Sequence, residues 1–307
     1  MTTHRLDPAP STVTDVYDPQ RPPVLSLDPG DTLVVRSLDA HGYLAKPAAI
    51  GDDTPVLIPG SRGHCLTGPV EVRGAVPGDL LAVHVVSLVP DSWAWTVSVI
   101  AGRPLTTRLG LDGAPQGWLL WDLDGRTAQD QHGHVVDLRP FLGVMGLPPA
   151  EPGEHSTVPP RPSGGNLDCK ELGAGATLYL PVTVPGAMLC VGDGHGAQGD
   201  GEVCGTAVEC GMTTELRLEV VRDRPLGVLH AETPDARITF GLDADLNEAT
   251  AQALEAMTAW MCQLYDLDRP TALALASPTV DLRVTQVANE VWGVHAVLPR
   301  TAIRMSR

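Results

Sequence analysis

Apolar and polar residues along this chain alternate in short runs, not in long helical stripes. "AVHVVSL" (82–88) reads as a half-buried strand. Similar β-branched runs are "DTLVVRSL", "GPVEVRGA", "DLLAVHVVSLV", "ATLYLPVTV", "EVCGTAVEC", "TELRLEVV", "ARITF" and "VWGVHAVLP". The 32 Gly and 28 Pro fall mostly between them, as tight turns require. One segment has the helical period. From about Asn247 to Leu264, Leu254, Met257, Met261 and Leu264 form an apolar face, with Asp245 or Asn247 as the cap. A second helix is predicted over "TALALASP", ending near Pro278. "GAPQGW" and "PPAEPGEHSTVPPRPSGG" read as loops. The pattern predicts a mainly β (α+β) fold. Its core is antiparallel and sandwich-like, with a few helices, the strongest near the C-terminus. Residues 1–307 show no repeat and no low-complexity linker, so a single domain is expected.

Composition narrows the function. A net charge of −16 excludes a nucleic-acid footprint and disfavours an anionic membrane surface. No run of about 18 apolar residues is present, and the N-terminal segment lacks the apolar core of a secretory signal. The six Cys form no C-x-x-C pair and read as reduced thiols in a cytoplasmic protein.

The chemistry concentrates in "GDGHGAQGDGEVCGTAVEC", from Gly192 to Cys210. Gly194–Gly199 matches G-x-G-x-x-G, yet the β-branched, Gly-broken stretch behind it is a poor helix. Asp193, Asp200 and Glu202 would also repel phosphate, so a dinucleotide site is not expected. Asp193 and His195, two apart, share one side of an extended segment, and Asp200 and Glu202 repeat the spacing. Upstream, Asn166 and Asp168 do the same. Mixed imidazole and carboxylate groups suit Zn²⁺, Mn²⁺ or Fe²⁺, whereas all-oxygen sets suit Ca²⁺ or Mg²⁺. Spacing alone leaves a solvated Gly turn equally open.

The remaining candidates are weaker. Cys204 is a thiol candidate with His64, His84 or His195 as base, but free Cys is usually a small buried apolar residue. Asp243-Ala-Asp245-Leu-Asn247 begins like a calcium loop and then lacks its Gly and Glu, so it reads as a helix cap. His132 and His134 fit a turn entering a strand. His4, His41, His84 and His230 read as isolated, and Trp93, Trp95, Trp118 and Trp121 as cover for core or interface.

Several segments together resemble the acetamidase/formamidase family over almost the full length. "GDGHGAQGDGEVCGTAVE" is similar to that family's GDGHAAQGDGEVCGTAIE, and "GGNLDCKEL" to its GGN-[LM]-D segment before "GATLYLPVTVPGA". "GHCLTGPVEVRGAVPGDLLAVHV" resembles its HPLTGPI-x-V-x-GA-x-PGD region. Cys65 stands where the family usually has Pro, Gly196 where it has Ala, and Cys169 where Ile is common. The resemblance implies metal-dependent hydrolysis of short-chain amides to a carboxylate and ammonia, by enzymes that commonly pair as homodimers. Its matching motifs point to Asp168, Asp193 and His195 as metal ligands with Glu209 in addition; the chemistry of amide hydrolysis then makes Glu202 the candidate base, or else a hydrogen-bond partner orienting His195, and His64 and Asn166 the groups binding the amide or its oxyanion. The ion expected is Zn²⁺, with Ca²⁺ as an addition. The alternatives are a non-catalytic protein that binds a small amide or a metal, and a thiol amidase using Cys204.

Overall fold

The structure, a computed structural model, describes residues 1–49, 52–223 and 226–304. It is mostly β, with 39% of residues in strands against 11% in helices. Two large sheets carry the strands. In the nine-stranded one, Met212–Val221 lies between Thr32–Ser37 and Leu80–Pro90, all antiparallel. The other has eleven strands. Its meander Val135–Asp137, Thr127–Asp130, Trp118–Leu123 and Trp93–Val97 leads into Glu209–Cys210, Leu189–His195, Phe141–Gly146 and Gly164–Asn166. Leu66–Val72 pairs with the first half of Leu189–His195, and Glu209–Cys210 with the second half. Pairing departs from antiparallel where Thr3–Leu6 meets Thr32–Ser37 and where Leu25–Leu27 meets Leu66–Val72.

The core explains the alternation. Leu33, Val83, Leu178 and Leu216 of the first sheet and Ala94, Leu142, Leu189 and Val191 of the second belong to one buried cluster. Each sheet therefore buries one face against the other, as in a sandwich. Leu189–His195 is buried along its whole length, so Asp193 and His195 on one side and the glycines on the other are both shut away from solvent.

The helix Leu246–Tyr265 is capped by Asp245, whose carboxylate accepts from the Asn247 N–H at 2.8 Å. Its buried face is Ala249, Ala253, Met257 and Met261, spaced by four. The face is thus rotated from the expected one, and Leu254 and Leu264 are only partly covered. Small residues lead because the helix lies directly on the sheet: a Cβ on Gly241 would strike the Ala249 carbonyl. The following helix runs from Arg269 to Ala276, with Pro270 in its first turn.

"EVCGTAVEC" is not a strand; only Glu209–Cys210 is extended. Glu202 and Gly205 have positive φ, and the Gly205 N–H donates to the Glu202 carbonyl at 2.8 Å, closing a turn. Thr206 fastens this turn to the edge of Trp93–Val97: its hydroxyl donates to the Val97 carbonyl and accepts from the Val97 N–H. Side-chain bonding to the backbone overrides the β propensity.

Candidate active site

Leu189–His195 carries the centre of the site. Its glycines face neighbouring backbone: a Cβ on Gly192 would lie 3.0 Å from the Cys65 carbonyl, and one on Gly194 2.6 Å from that of Cys210. Backbone can approach closely only because these positions lack side chains. Asp193 and His195, the intervening positions, converge instead, with His195 Nε2 3.3 Å from Asp193 Oδ2. Across the ladder Glu209 pairs with His195, and its Oε2 lies 3.4 Å from Nε2. Asp168 follows the Gly164–Asn166 strand and Glu202 arrives on the turn. Ligand-type atoms of Asp168, Asp193 and His195 lie within 4.8 Å of one another, as do those of His195, Glu202 and Glu209.

Four carboxylates thus surround one imidazole, and all five side chains are buried. Three of the acids hold left-handed backbone: φ is 51° at Asp168, 59° at Asp193 and 43° at Glu202. Such conformations cost on the order of 1–3 kcal/mol each for non-glycine residues and cluster at functional sites. The floor is Gly143, opposite the same strand. A Cβ there would collide with Asp193 Oδ2 and lie 2.8 Å from Asp168 Oδ1 and 2.9 Å from His195 Cε1. Nothing in the sequence singled out Gly143.

Hydrogen bonds fix the imidazole. Gln198 Nε2 donates to the Asp168 carbonyl at 2.7 Å, which turns Gln198 Oε1 toward His195 Nδ1 at 2.8 Å. Nδ1 therefore carries the proton, and in the neutral ring Nε2 is a bare lone pair facing carboxylates. Phe141 packs edge-on against the ring, 5.0 Å between centroids. Glu209 Oε1 accepts from the Ala207 N–H, but its Oε2 has no hydrogen-bond partner; nor have His195 Nε2 and both Asp168 carboxylate oxygens.

The electrostatics call for a cation. Burial, reinforced by Asp193 and Glu209 against His195, pushes Asp168 up to about 8. Burial likewise raises Glu202, with Asp168 adding to it, and Glu209, against the pull of His195. Burial works against ionised Asp193 too, yet the His195 and His64 charges hold its carboxyl below the usual range. At His195 burial favours the neutral ring, but Glu209 and Asp193 outweigh it and raise the imidazole well above its ordinary value. The centre must take up protons or hold a positive ion. A divalent metal fits the donor set, the orphaned oxygens and the bare Nε2.

A cavity of about 390 Å³ opens above the cluster, with Asp193, Glu202 and Glu209 reaching it from the floor. His64 and Asn166 line it as well. Asn166 Nδ2 donates to the Val158 carbonyl at 3.0 Å, leaving its buried Oδ1 as a free acceptor. The Thr157 hydroxyl accepts from the His64 N–H at 2.8 Å and lies 3.1 Å from Nδ1. The structure thus gathers every residue singled out for the site and adds a mouth of His41, Tyr43, Trp95 and Trp118. These aromatics come from three distant segments, so no local spacing could have joined them. His41 is not isolated, and Trp95 and Trp118 are cavity wall.

Other candidates fall away from the cluster. Asp200 pairs with Lys170 at 2.9 Å. His134 and Asp130 close a turn, and His4 pairs with Asp31. Cys204 lines an adjoining cavity, and its thiol donates to the Thr206 carbonyl at 3.3 Å. Among the described residues no imidazole is hydrogen-bonded to it. After Gly199 the chain enters turns, not a helix, so the glycine string offers no helix N-terminus to a phosphate.

A second acid–imidazole group lies next to the first in sequence. Cys169, Glu171 and His295 come together, with His295 Nε2 3.4 Å from Glu171 Oε2 and the Cys169 thiol donating to Glu171 at 3.4 Å. Here Arg283 meets the single carboxylate at 3.0 Å.

Fold and site together define a β-sandwich protein whose buried centre of four carboxylates and one imidazole sits beneath an aromatic-lined cavity. A model of the acetamidase/formamidase family matches residues 2–154 and 149–230, and the chain belongs to that family. It is 29% identical to an acetamidase of Mycolicibacterium smegmatis over 227 residues, covering 52% of this chain and 54% of that one. It is 25% identical to a formamidase of Methylophilus methylotrophus over 261 residues, 67% of this chain and 63% of that one. The chain therefore spans less than two thirds of the length of these curated relatives. The crystal structure of an acetamidase from Bacillus halodurans superposes with a TM-score of 0.86 at 26% identity, over 96% of this chain and 97% of the other.

Proposed function

We propose that this protein hydrolyses a primary amide of the formamide or acetamide type to a carboxylate and ammonia, at a divalent-metal centre held by Asp168, Asp193, His195 and Glu209. One observation carries the reading: Asp168 Oδ1 and Oδ2, His195 Nε2 and Glu209 Oε2 are buried without hydrogen-bond partners, and His195 is shared by the two ligand groups to which Asp168 and Glu209 belong. The imidazole in the set favours Zn²⁺; Ca²⁺ would require a separate, all-oxygen site. Once bound, such an ion supplies polarisation of the amide carbonyl and a nucleophile from water near neutral pH.

The chain's own groups supply the rest. Asn166 Oδ1 accepts from the amide NH₂ and sets its orientation. His64 steadies the oxygen that gains charge as the carbonyl is attacked. Glu202, buried beside His195 and Glu209 and reaching the cavity, takes the proton of the attacking water and passes it to the departing nitrogen. The C–O bond forms first, the C–N bond breaks as the charged oxygen restores the carbonyl, and ammonia leaves with that proton. Gln198 acts through His195, fixing its tautomer.

Homodimerisation is the assembly the family resemblance supports. Six free thiols support the reducing cytoplasm as the location. Among the described residues no helix is long and apolar enough to cross a membrane.

Ammonia release from a panel of small amides, on a metal-analysed sample, tests the reading. Chelation is expected to abolish release and Zn²⁺ to restore it. Glu202→Gln is expected to keep the metal and lose turnover. Full activity in metal-free protein would reject the proposal.

A further inference from the structure

Resting on that amidase reading, we infer that the cavity selects amides with a bulky apolar acyl group, of ring size, over formamide and acetamide. Its volume is about 390 Å³. Acetamide fills roughly the space of two or three waters at about 30 Å³ each, whereas pockets of roughly 300–1,000 Å³ are the scale for drug-sized ligands. A site shaped for a methyl group would close over it, because each unfilled void forfeits dispersion contacts.

The cavity has two chemical poles. Its floor is polar, with Glu202, Glu209 and Asn166 placed to hold the amide group. Its wall is aromatic. The Trp95 and Trp118 rings lie 5.8 Å apart, and Tyr43 meets Trp95 nearly perpendicularly at 6.1 Å. Val97 sits opposite Trp118 across the ladder and widens this face. Strand pairing ties the poles together, since Trp95 is the cross-strand partner of Glu209. An amide held by its C–N group at the floor therefore lays its acyl group against the indoles. The basic side chain at the mouth, Arg103, donates to the Ala288 carbonyl and is engaged by backbone. The indole faces of the wall thus suit a neutral, largely apolar group, with the unpaired Trp95 and Trp118 N–H groups at their edges.

The mouth is also braced. The Cys65 N–H donates to the Ala40 carbonyl at 2.9 Å, just before His41 and Tyr43. A proline at this position would have no N–H to give. The backbone N–H of Cys65 thus fixes the start of the aromatic loop.

The experiment is kcat/KM for formamide, acetamide, isobutyramide and phenylacetamide, measured on Zn²⁺-loaded full-length protein. The expected result is a rise along the series. Phenylacetamide should exceed acetamide by at least about tenfold, the low end of what one methylene is worth in a fitted pocket. Trp118→Ala should lower the phenylacetamide-to-acetamide ratio by at least about tenfold, mainly through KM, and Trp118→Phe, which keeps a ring, should restore most of it. A maximum at formamide or acetamide overturns this inference and leaves the amidase reading standing, as does a ratio unmoved in folded Trp118→Ala. Ammonia release from none of the series overturns both.

Discussion

Two buried acid–imidazole groups lie on either side of the Asp168–Cys169 peptide bond, and their chemistry is opposite. On one side Asp168, Asp193, Glu202 and Glu209 surround His195, with no Arg or Lys paired to them among the described residues, and burial pushes Asp168 up to about 8. On the other, burial would raise Glu171, but His295, the Cys169 thiol and Arg139 together pull its carboxyl down to about 2. Arg283 pairs with it directly. The first group accumulates more negative charge than its imidazoles can answer; the second is balanced within the chain. Proximity of ligand-type atoms is common to both. What separates a candidate metal centre from a structural ion pair is the charge left over.

The sharpest way to break this division is to remove a ligand from each side. His195→Ala and Asp168→Ala are each expected to lose bound metal and to lower amide turnover by on the order of a thousandfold or more. Glu171→Gln is expected to keep full metal stoichiometry. Elemental analysis of the purified variants gives the readout. Metal lost equally from Glu171→Gln would show that the two groups act as one site.

Gly143→Ala probes the first group without touching a donor. The added methyl lies against Asp193, Asp168 and His195. The fold should persist, because the strand Phe141–Gly146 keeps its ladder, while metal affinity falls by roughly 10–100-fold, the scale for disturbing the support of ligands. Competition with a chromogenic chelator measures it. Unchanged affinity would show that the acids have room to retreat.

The two groups also differ in how far the sequence revealed them. The two-residue spacing of Asp193 and His195 was legible because glycines alternate with them and a strand sorts the two sets to opposite faces. Asp168 shows the same spacing with Asn166, but its joining to Asp193 and His195, and Glu209 altogether, came through the family resemblance, since strand pairing across distant segments leaves no local spacing. Gly143 was invisible: a glycine needed for space looks like any other. "EVCGTAVEC" was misread as a strand because propensity counts Val and Thr but does not see Thr206 bonding to Val97. The aromatic mouth was dispersed over His41–Tyr43, Trp95 and Trp118; the meander brings the two Trp-bearing strands side by side, and the His41–Tyr43 loop packs its rings against Trp95. The sandwich itself was readable, because alternation reports directly on a buried face.

A smaller effect concerns pH. The Glu171 carboxyl sits at about 2 in the folded chain, against about 4.3 unfolded. A depressed carboxylate stabilises the fold above its unfolded pKa, and that contribution is lost as pH falls through the folded value. Glu171→Gln should therefore lower stability at pH 7 by about 1 kcal/mol, a figure discounted for the partial exposure of Glu171 and Arg283. The gap to the parent protein should narrow between pH 4 and 2 by the same titration. Denaturant midpoints across that range measure it. A constant gap would mean that the residue acts through packing and not charge.

The smallest effect is expected at Cys204, which belongs to neither group. Its thiol is half-buried, donates to the Thr206 carbonyl at 3.3 Å and lies 3.6 Å from the Thr206 hydroxyl. Serine is shorter but carries a stronger donor, and the same carbonyl remains within reach of a small adjustment. Cys204→Ser should then cost no more than about 1 kcal/mol, the net worth of one hydrogen bond. Turnover should fall by less than about tenfold, because a residue that only shapes the turn bearing Glu202 alters the base's position slightly and leaves the acid–imidazole centre intact. A covalent nucleophile behaves otherwise: replacing its thiolate removes the acyl-enzyme step and nearly all turnover with it. Amide hydrolysis by folded, metal-replete Cys204→Ser decides between them. A fall beyond a thousandfold at unchanged metal content would transfer the chemistry from the charged cluster to the thiol, and the contrast between the two buried groups would then concern stability alone.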